Sequence, residues 1–411
     1  MVDRLAKIVV TVMMMVVAAL PQRHEQFLRA QGADGDAPIP ASYFGMVIAG
    51  DRWPWVPVGS SRIMAGWKLV EPARGKWDFR QVDAALARAQ QRHVDVVFGL
   101  GLTPPWASSH PQEQCGAGVG SCWAATEMKD WQDYVFEMAT RYKGRVHYYQ
   151  VWNEPSEGAF YQDTVEKLVT MTQMAYDILK QADPDNLVIS PAAIGPKGLT
   201  WLNLFLTNGG GKYFDILGYH CDPSPAPPES IVGQGGQLRE LMRKHGIGGK
   251  PVWDTQLGWW YPHTTLPEST QVAYVAREII LDRIAGESRF YWYLWGEGPT
   301  QLPMLEGKGT LSAPAQAYAV VQKWLVGASL KGCVSEDVPP AWQASHHMWS
   351  CDILRNGVMS KILWNPDGDR AFQVPPGWEI KTMQNLAGET VNLPSSGKVR
   401  IGEQPVLLEH R

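Results

Sequence analysis

Trp152-Asn153-Glu154-Pro155 closes a strand-type run, Val146-His147-Tyr148-Tyr149-Gln150-Val151. A carboxylic acid at a strand end can give and take a proton at whatever that end faces. Other groups capable of chemistry close comparable runs. Arg62 lies in the run 61–67, and Thr103-Pro104-Pro105-Trp106 follows 94–101. His220 ends 216–220, Gln256 ends 251–256, and Trp295 with Glu297 ends 290–295. Arginine brings a permanent charge and histidine a proton that moves near neutral pH. Amides donate and accept at once, and tryptophan offers a flat apolar face with one donor. Chance places one or two such groups at strand ends, but hardly all of them.

These residues need elements that bring distant segments together. Eight short apolar runs, 43–48, 61–67, 94–101, 146–152, 187–190, 216–220, 251–256 and 290–295, read as strands. Helical patterns lie between them. Phe79, Val82, Leu86 and Ala89 recur at helical spacing, as do Val165, Leu168, Thr172, Ala175, Tyr176 and Leu179. Strands alternating with helices imply a parallel sheet, and eight units imply a closed (β/α)8 TIM barrel over 42–328. A doubly wound open sheet is the competing architecture, but no Gly-rich phosphate loop follows the first strand. In a barrel, the C-terminal strand ends build the site. Ala317, Tyr318, Val321, Trp324 and Leu325 form a closing helix. Short strand patterns separated by turn residues then predict a small antiparallel β-sandwich over 329–411. The segment 38–42 is expected to add a strand to it.

The 411 residues suit one barrel plus a small appendage. A formal charge of -4 with no basic run gives no sign of nucleic-acid or membrane-surface binding. Residues 1–22 read as a signal peptide or N-terminal anchor, with Arg4 and Lys7 before an apolar run. That points to a secreted or periplasmic protein, with membrane contact only through this segment. Residues 23–41 read as a linker. Export makes disulfides plausible. Cys115 and Cys122 flank a Gly-rich loop and are expected to pair. Cys333 and Cys351 bracket the start of the C-terminal region, and Cys221 is the odd one of five. No metal or cofactor is expected, since only the adjacent His346-His347 approaches ligand spacing.

The chain resembles a clan A glycoside hydrolase, nearest to family 39, which includes xylosidases, iduronidases and exopolysaccharide hydrolases. Four segments carry the resemblance: Arg62-Ile63-Met64-Ala65-Gly66-Trp67, Thr103-Pro104-Pro105-Trp106-Ala107, Trp152-Asn153-Glu154-Pro155, and the run 251–259 around Gln256. The resemblance implies an oligo- or polysaccharide substrate and a retaining mechanism with Glu154 as general acid/base. Asn153 would hydrogen-bond the sugar 2-hydroxyl. Trp295 would be the floor under the reacting sugar, with Trp106, Trp259 and Trp260 as walls. Arg62 and His220 would lie near the nucleophile position, and Glu297 would bind sugar from the last loop.

Gln256 departs from that pattern, because the family motif carries a second carboxylate there. An amide cannot form the glycosyl-enzyme intermediate as a carboxylate does. Three readings stand: a substituted nucleophile in an otherwise normal enzyme, a sugar-binding protein without turnover, or a function supplied by another group such as Glu297. Asp254, two residues earlier, is expected deeper on the same side of the strand, as an interior hydrogen-bonding group rather than a stand-in nucleophile.

Overall fold

The computed structural model describes residues 37–259, 266–296, 304, 311–335 and 348–410. Its larger body is a (β/α)8 barrel. The parallel strands are β1 (Phe44–Ile48), β2 (Ser60–Met64), β3 (Asp95–Gly99), β4 (Tyr148–Gln150), β5 (Leu187–Ile189), β6 (Ala193–Ile194), β7 (Leu217–His220), β8 (Val252–Leu257) and β9 (Arg289–Trp295). They run in the order β5-β4-β3-β2-β1-β9-β8-β7-β6. A parallel bridge from Ile189 to Ile216 brings β5 to the start of β7, so the sheet closes. The fifth barrel strand is split into β5 and β6 around Pro191, which cannot donate to the ladder.

The helices are α1 (Trp67–Val70), α2 (Arg80–Gln90), α3 (Met128–Arg141), α4 (Val165–Ala182), α5 (Gly195–Thr207), α6 (Ser230–Lys244), α7 (Glu268–Ala285) and α8 (Ala313–Leu325). Their apolar faces follow the helical period. Val82, Leu86 and Ala89 of α2 are buried, and so are Leu168, Thr172, Ala175 and Leu179 of α4. Thr164 starts α4 by accepting the Lys167 N–H, and Ser312 starts α8 by accepting the Ala315 N–H. Residues 49–59 join β1 to β2 without a helix. A cavity of about 940 Å³ occupies that flank, lined by Ile48, Trp53, Arg62, Met64, Arg88 and Tyr293 among others.

Val47, Val97, Ile189, Ile216, Trp253 and Tyr291 pack together inside the barrel. This apolar plug excludes water from below the polar groups at the strand ends, where every hydrogen bond therefore counts more.

An irregularity lies in β8 between Asp254 and Leu257. Trp253 points inward with Tyr291, whereas Asp254 points outward to Cys221 and Asp282. Thr255 and Gln256 both reach inner partners, as two successive residues can only at a bulge. The expected period-2 placement of Asp254 with Gln256 is thereby corrected: Asp254 stands behind the barrel wall.

The smaller body is an antiparallel β-sandwich. Its strands are β10 (Ser329–Ser335), β11 (Trp349–Arg355), β12 (Val358–Trp364), β13 (Arg370–Gln373), β14 (Thr382–Gln384), β15 (Thr390–Asn392), β16 (Lys398–Ile401) and β17 (Val406–Glu409). One sheet runs β10-β11-β12-β17-β14-β15, and β13 pairs with β16. Met348, Leu363, Val374, Val399, Ile401 and Leu408 fill the space between. Cys333 and Cys351 stand opposite each other on β10 and β11 and form a disulfide. Trp364 of β12 donates to Glu229, which also holds Arg277 of α7, so a buried polar link ties the two bodies together.

The segment 38–42 does not extend the sandwich. Ile39 alone bridges to Val326, donating to Ala328 and accepting from Gly327. Pro38 and Pro40 flank it and have no N–H to give, so pairing stops at one residue. The signal and linker expectations for residues 1–36 lie outside the described residues, as do those for Trp260 and Glu297. Among the described residues, no helix is long and apolar enough to cross a membrane.

Candidate active site

Glu154 follows β4 in the left-handed region, at φ 43°. For a residue with a side chain this costs about 1–3 kcal/mol and is retained where surroundings over-determine it. Here its N–H donates to Ala192 at 2.9 Å, and Asn153 bridges to Ala192. The turn carries the Glu154 carboxyl inward, where the residue is only 5% exposed.

Around it the structure closes a ring of side chains. Arg62 donates from Nε to Gln150 Oε1 at 2.8 Å, from Nη1 to Gln256 Oε1 at 3.1 Å and from Nη2 to Asn153 Oδ1 at 2.6 Å. Gln256 Nε2 donates to Glu154 Oε1 at 2.9 Å. Gln150 Nε2 donates to Thr255 Oγ1 at 2.9 Å. His220 reaches Thr255 Oγ1 through Nε2 at 2.9 Å and Glu154 Oε1 through Nδ1 at 2.8 Å.

The chemistry fixes the direction of the bonds that lead out from Arg62. Guanidinium only donates. Gln150 must therefore accept with its oxygen and donate with its nitrogen. In the tautomer protonated on Nδ1, the Thr255 hydroxyl passes its own hydrogen to His220 Nε2. His220 then donates from Nδ1 to Glu154. Burial lowers the imidazole pKa, outweighing the opposing pull of Glu154, which agrees with this neutral tautomer. The short arm runs the same way, through the oxygen and then the nitrogen of Gln256. Both arms start at the Arg62 charge and deliver donors to one oxygen, Glu154 Oε1. Among the described residues, Oε2 has no hydrogen-bond partner, so it is left for whatever enters the site.

Arg62 is 1% exposed, and burial lowers its pKa to about 10, with Glu154 partly restoring it. It stays charged at neutral pH. The Gln256 amide fits its place chemically. Reversing it would set NH2 against guanidinium and oxygen against carboxyl.

Sequence reading brings Arg62, Asn153, Glu154, His220 and Gln256 to one point, and the structure puts them in this one network. It does not bring the tryptophans there. Trp295 is 1% exposed and belongs to the outer core. Trp259 is 3% exposed and donates to Ala226 O at 3.1 Å. Trp106 is half-buried, donates to Glu71 O at 2.9 Å and lies under the Arg74 guanidinium.

Tyr293 is the aromatic residue that sequence reasoning missed. It is half-buried, pairs with Val47 and lines the cavity beside Arg62. Burial raises its pKa first, the Glu154 charge adds to this, and Arg62 opposes it. Period-2 alternation would put residues 293 and 295 on one face. The β1–β9 register shifts between their partners Val47 and Ile48, which separates them. Asp222 was also missed, although His220-Cys221-Asp222 could have flagged it. Its carboxyl is pushed up to about 6, chiefly by burial, with Glu154 and Glu157 adding like charge. On the loop after β3, Cys115 and Cys122 form the expected disulfide.

No protein-family model matches the sequence, and no curated protein matches it. Solved structures do match in fold. A family 39 glycoside hydrolase from the gut symbiont Bacteroides cellulosilyticus WH2 superposes with TM-score 0.72 at 17% identity, over 93% of this chain and 82% of that one. A family 39 β-xylosidase from Caulobacter crescentus gives 0.62 at 14% identity, over 91% and 97%. The catalytic domain of family 30 xylanase C from Talaromyces cellulolyticus gives 0.53 at 13% identity, over 85% and 86%. The chain thus shares the fold of these structures, a (β/α)8 barrel with an appended β-sandwich.

Proposed function

We propose that this chain engages a glycosidic bond of an oligo- or polysaccharide between Glu154 and position 256, as a glycosidase of retaining design. The observation that carries this reading is the 2.9 Å contact between Gln256 Nε2 and Glu154 Oε1. With C–N and C=O bonds of ordinary length, the two carbonyl carbons are then at most about 5.5 Å apart. Retaining enzymes hold their two carboxyl groups about 5–5.5 Å apart, whereas inverting enzymes need about 6.5–9.5 Å. Glu154 would protonate the leaving oxygen through Oε2, the oxygen outside the ring. Tyr293 would be the aromatic floor, and Asn153, oriented by Arg62, would meet the sugar. The two disulfides favour an exported protein.

A second reading, sugar binding without turnover, is favoured by the fit of the amide itself. Gln256 satisfies Arg62 and Glu154 together, and it offers no attacking carboxylate.

The test is Gln256→Glu beside the unchanged chain, on aryl glycosides and a glycan panel. The retaining reading expects Gln256→Glu to create or greatly raise hydrolysis, with product of retained configuration by NMR. Adding formate or azide to the unchanged chain should give partial turnover of an activated glycoside. If the variant folds, binds sugar and cleaves nothing, the chain is a binding protein. If neither form binds any glycan, both readings fail. Tyr293→Ala should weaken sugar binding by about 1–3 kcal/mol in calorimetry, the scale of an aromatic anchor. Trp295→Phe, inside the core, should leave affinity unchanged.

A further inference from the structure

We propose that Cys221, Asp254 and Asp282 form a divalent-metal site of the zinc class. It would pin the end of β7 to the middle of β8 from behind the active-site ring. One ligand atom of each of the three lies within 4.8 Å of the others, and all three residues are buried. An ion bonded at about 2.3 Å to sulfur and about 2.0–2.2 Å to oxygen reaches all of them once the side chains close by about an ångström.

A second observation points to a cation. Asp282 Oδ1 and both Glu287 oxygens are buried without a hydrogen-bond partner, and both residues are 0% exposed. Buried polar groups are normally paired, because leaving them unpaired is expensive. Glu287 also adds a like charge to Cys221, Asp254 and Asp282, which raises the negative charge a cation would answer. The Arg283 guanidinium donates to the Glu287 carbonyl and the Arg239 guanidinium to the Gly286 carbonyl. Both guanidiniums also stand as opposite charges to the Glu287 carboxylate, and Arg283 to Asp282, without hydrogen-bonding the orphaned oxygens.

The donors are oriented as ligands need to be. Asp254 accepts the Cys221 N–H at 2.9 Å and the Gln256 N–H at 3.0 Å. The Tyr43 hydroxyl donates to Asp282 Oδ2 at 3.1 Å, leaving Oδ1 for an ion. Such outer contacts fix ligand direction. A sulfur donor among carboxylates suits a borderline-soft divalent ion better than magnesium or calcium. Binding would release the thiol proton to solvent and leave a thiolate on the metal. Cys221 is also the one described cysteine outside the disulfides. Because Cys221 follows His220 and Asp254 holds the Gln256 backbone, the ion would brace two ring residues.

The full chain, stripped with chelator, is titrated separately with Zn2+, Co2+, Ca2+ and Mg2+. One zinc per chain should survive gel filtration. Cobalt should bring a sulfur-to-metal charge-transfer band, and zinc should shield Cys221 from alkylation. Cys221→Ser and Asp282→Asn should each weaken zinc binding at least about tenfold. A folded wild type that retains no zinc, a cobalt complex without the thiolate band, binding of calcium or magnesium alone, or zinc retained unchanged in both variants overturns the proposal. Should the variants not fold, the wild-type cobalt spectrum decides alone.

Discussion

Two polar assemblies lie back to back on β8, and they are built on opposite terms. Inside, Thr255 and Gln256 join a ring in which each donor meets an acceptor and the charge of Arg62 is answered by Glu154. Outside, Asp254 joins Asp282, Glu287 and Glu278, and Asp282, Glu287 and Glu278 keep oxygens without hydrogen bonds. Arg62, Gln150, Thr255 and His220 are buried as deeply as Asp254, Asp282, Glu287 and Glu278, and Gln256 is half-buried. Burial therefore does not set the energetics of a polar group; the matching of donors and charge does. Substitutions that strip a donor from the inner ring should destabilise the protein. The outer cluster should gain from losing a charge.

The largest break expected is Arg62→Met. It leaves the oxygens of Gln150, Gln256 and Asn153 without their donor and removes the charge opposite Glu154. Stability should fall by about 3–5 kcal/mol, the scale for removing one partner of a buried charged pair. Denaturant unfolding measures this, and a loss below about 1 kcal/mol would mean the ring is not a unit.

Thr255→Val comes next. It orphans Gln150 Nε2 and His220 Nε2 while nearly keeping shape. At about 1–3 kcal/mol for each of the two stranded groups, the loss should be about 2–6 kcal/mol. A double variant with His220→Phe should lose less than the two single losses added, because they share one bond.

The smallest effect is a gain. Glu278 is fully buried with both carboxylate oxygens unpartnered, and burial raises its pKa well above the usual range, with Asp222 and Asp254 adding like charge. Its stability contribution is therefore present below the unfolded value of about 4.3 and is lost as pH rises through the folded one. Glu278→Gln should match the parent near pH 4 and exceed it by about 1–3 kcal/mol near pH 8, in chelator-treated protein followed by thermal unfolding.

The ring has the opposite pH signature. Burial lowers the His220 pKa, so the unfolded chain binds a proton that the folded chain refuses. Stability from His220 is complete above about 6.5 and falls as the medium becomes more acid. In Glu278→Gln this acid-side loss should stand out more clearly. If the variant instead lost stability at every pH, the contrast between the two assemblies would fail.

The sequence by itself determined the architecture and the inner cast. Strand-length apolar runs alternating with helical patterns allow little besides a closed barrel, because each amphipathic helix has to cover a parallel sheet. The residues ending those runs had to meet at its mouth, so Arg62, Asn153, Glu154, His220 and Gln256 were legible as a group. Cys115 and Cys122 were legible as a pair because a short loop keeps them close in any fold. Tertiary structure decided what depends on a one-residue irregularity or on three distant segments. The bulge in β8 turned Asp254 outward, and the register shift beside β9 gave Tyr293 rather than Trp295 the inner face. A strand's side chains alternate with period two, so one slipped residue reverses every face beyond it, and composition carries no trace of the slip. Cys221, Asp254 and Asp282 show no ligand spacing along the chain. Only the packing of β7, β8 and α7 makes them neighbours.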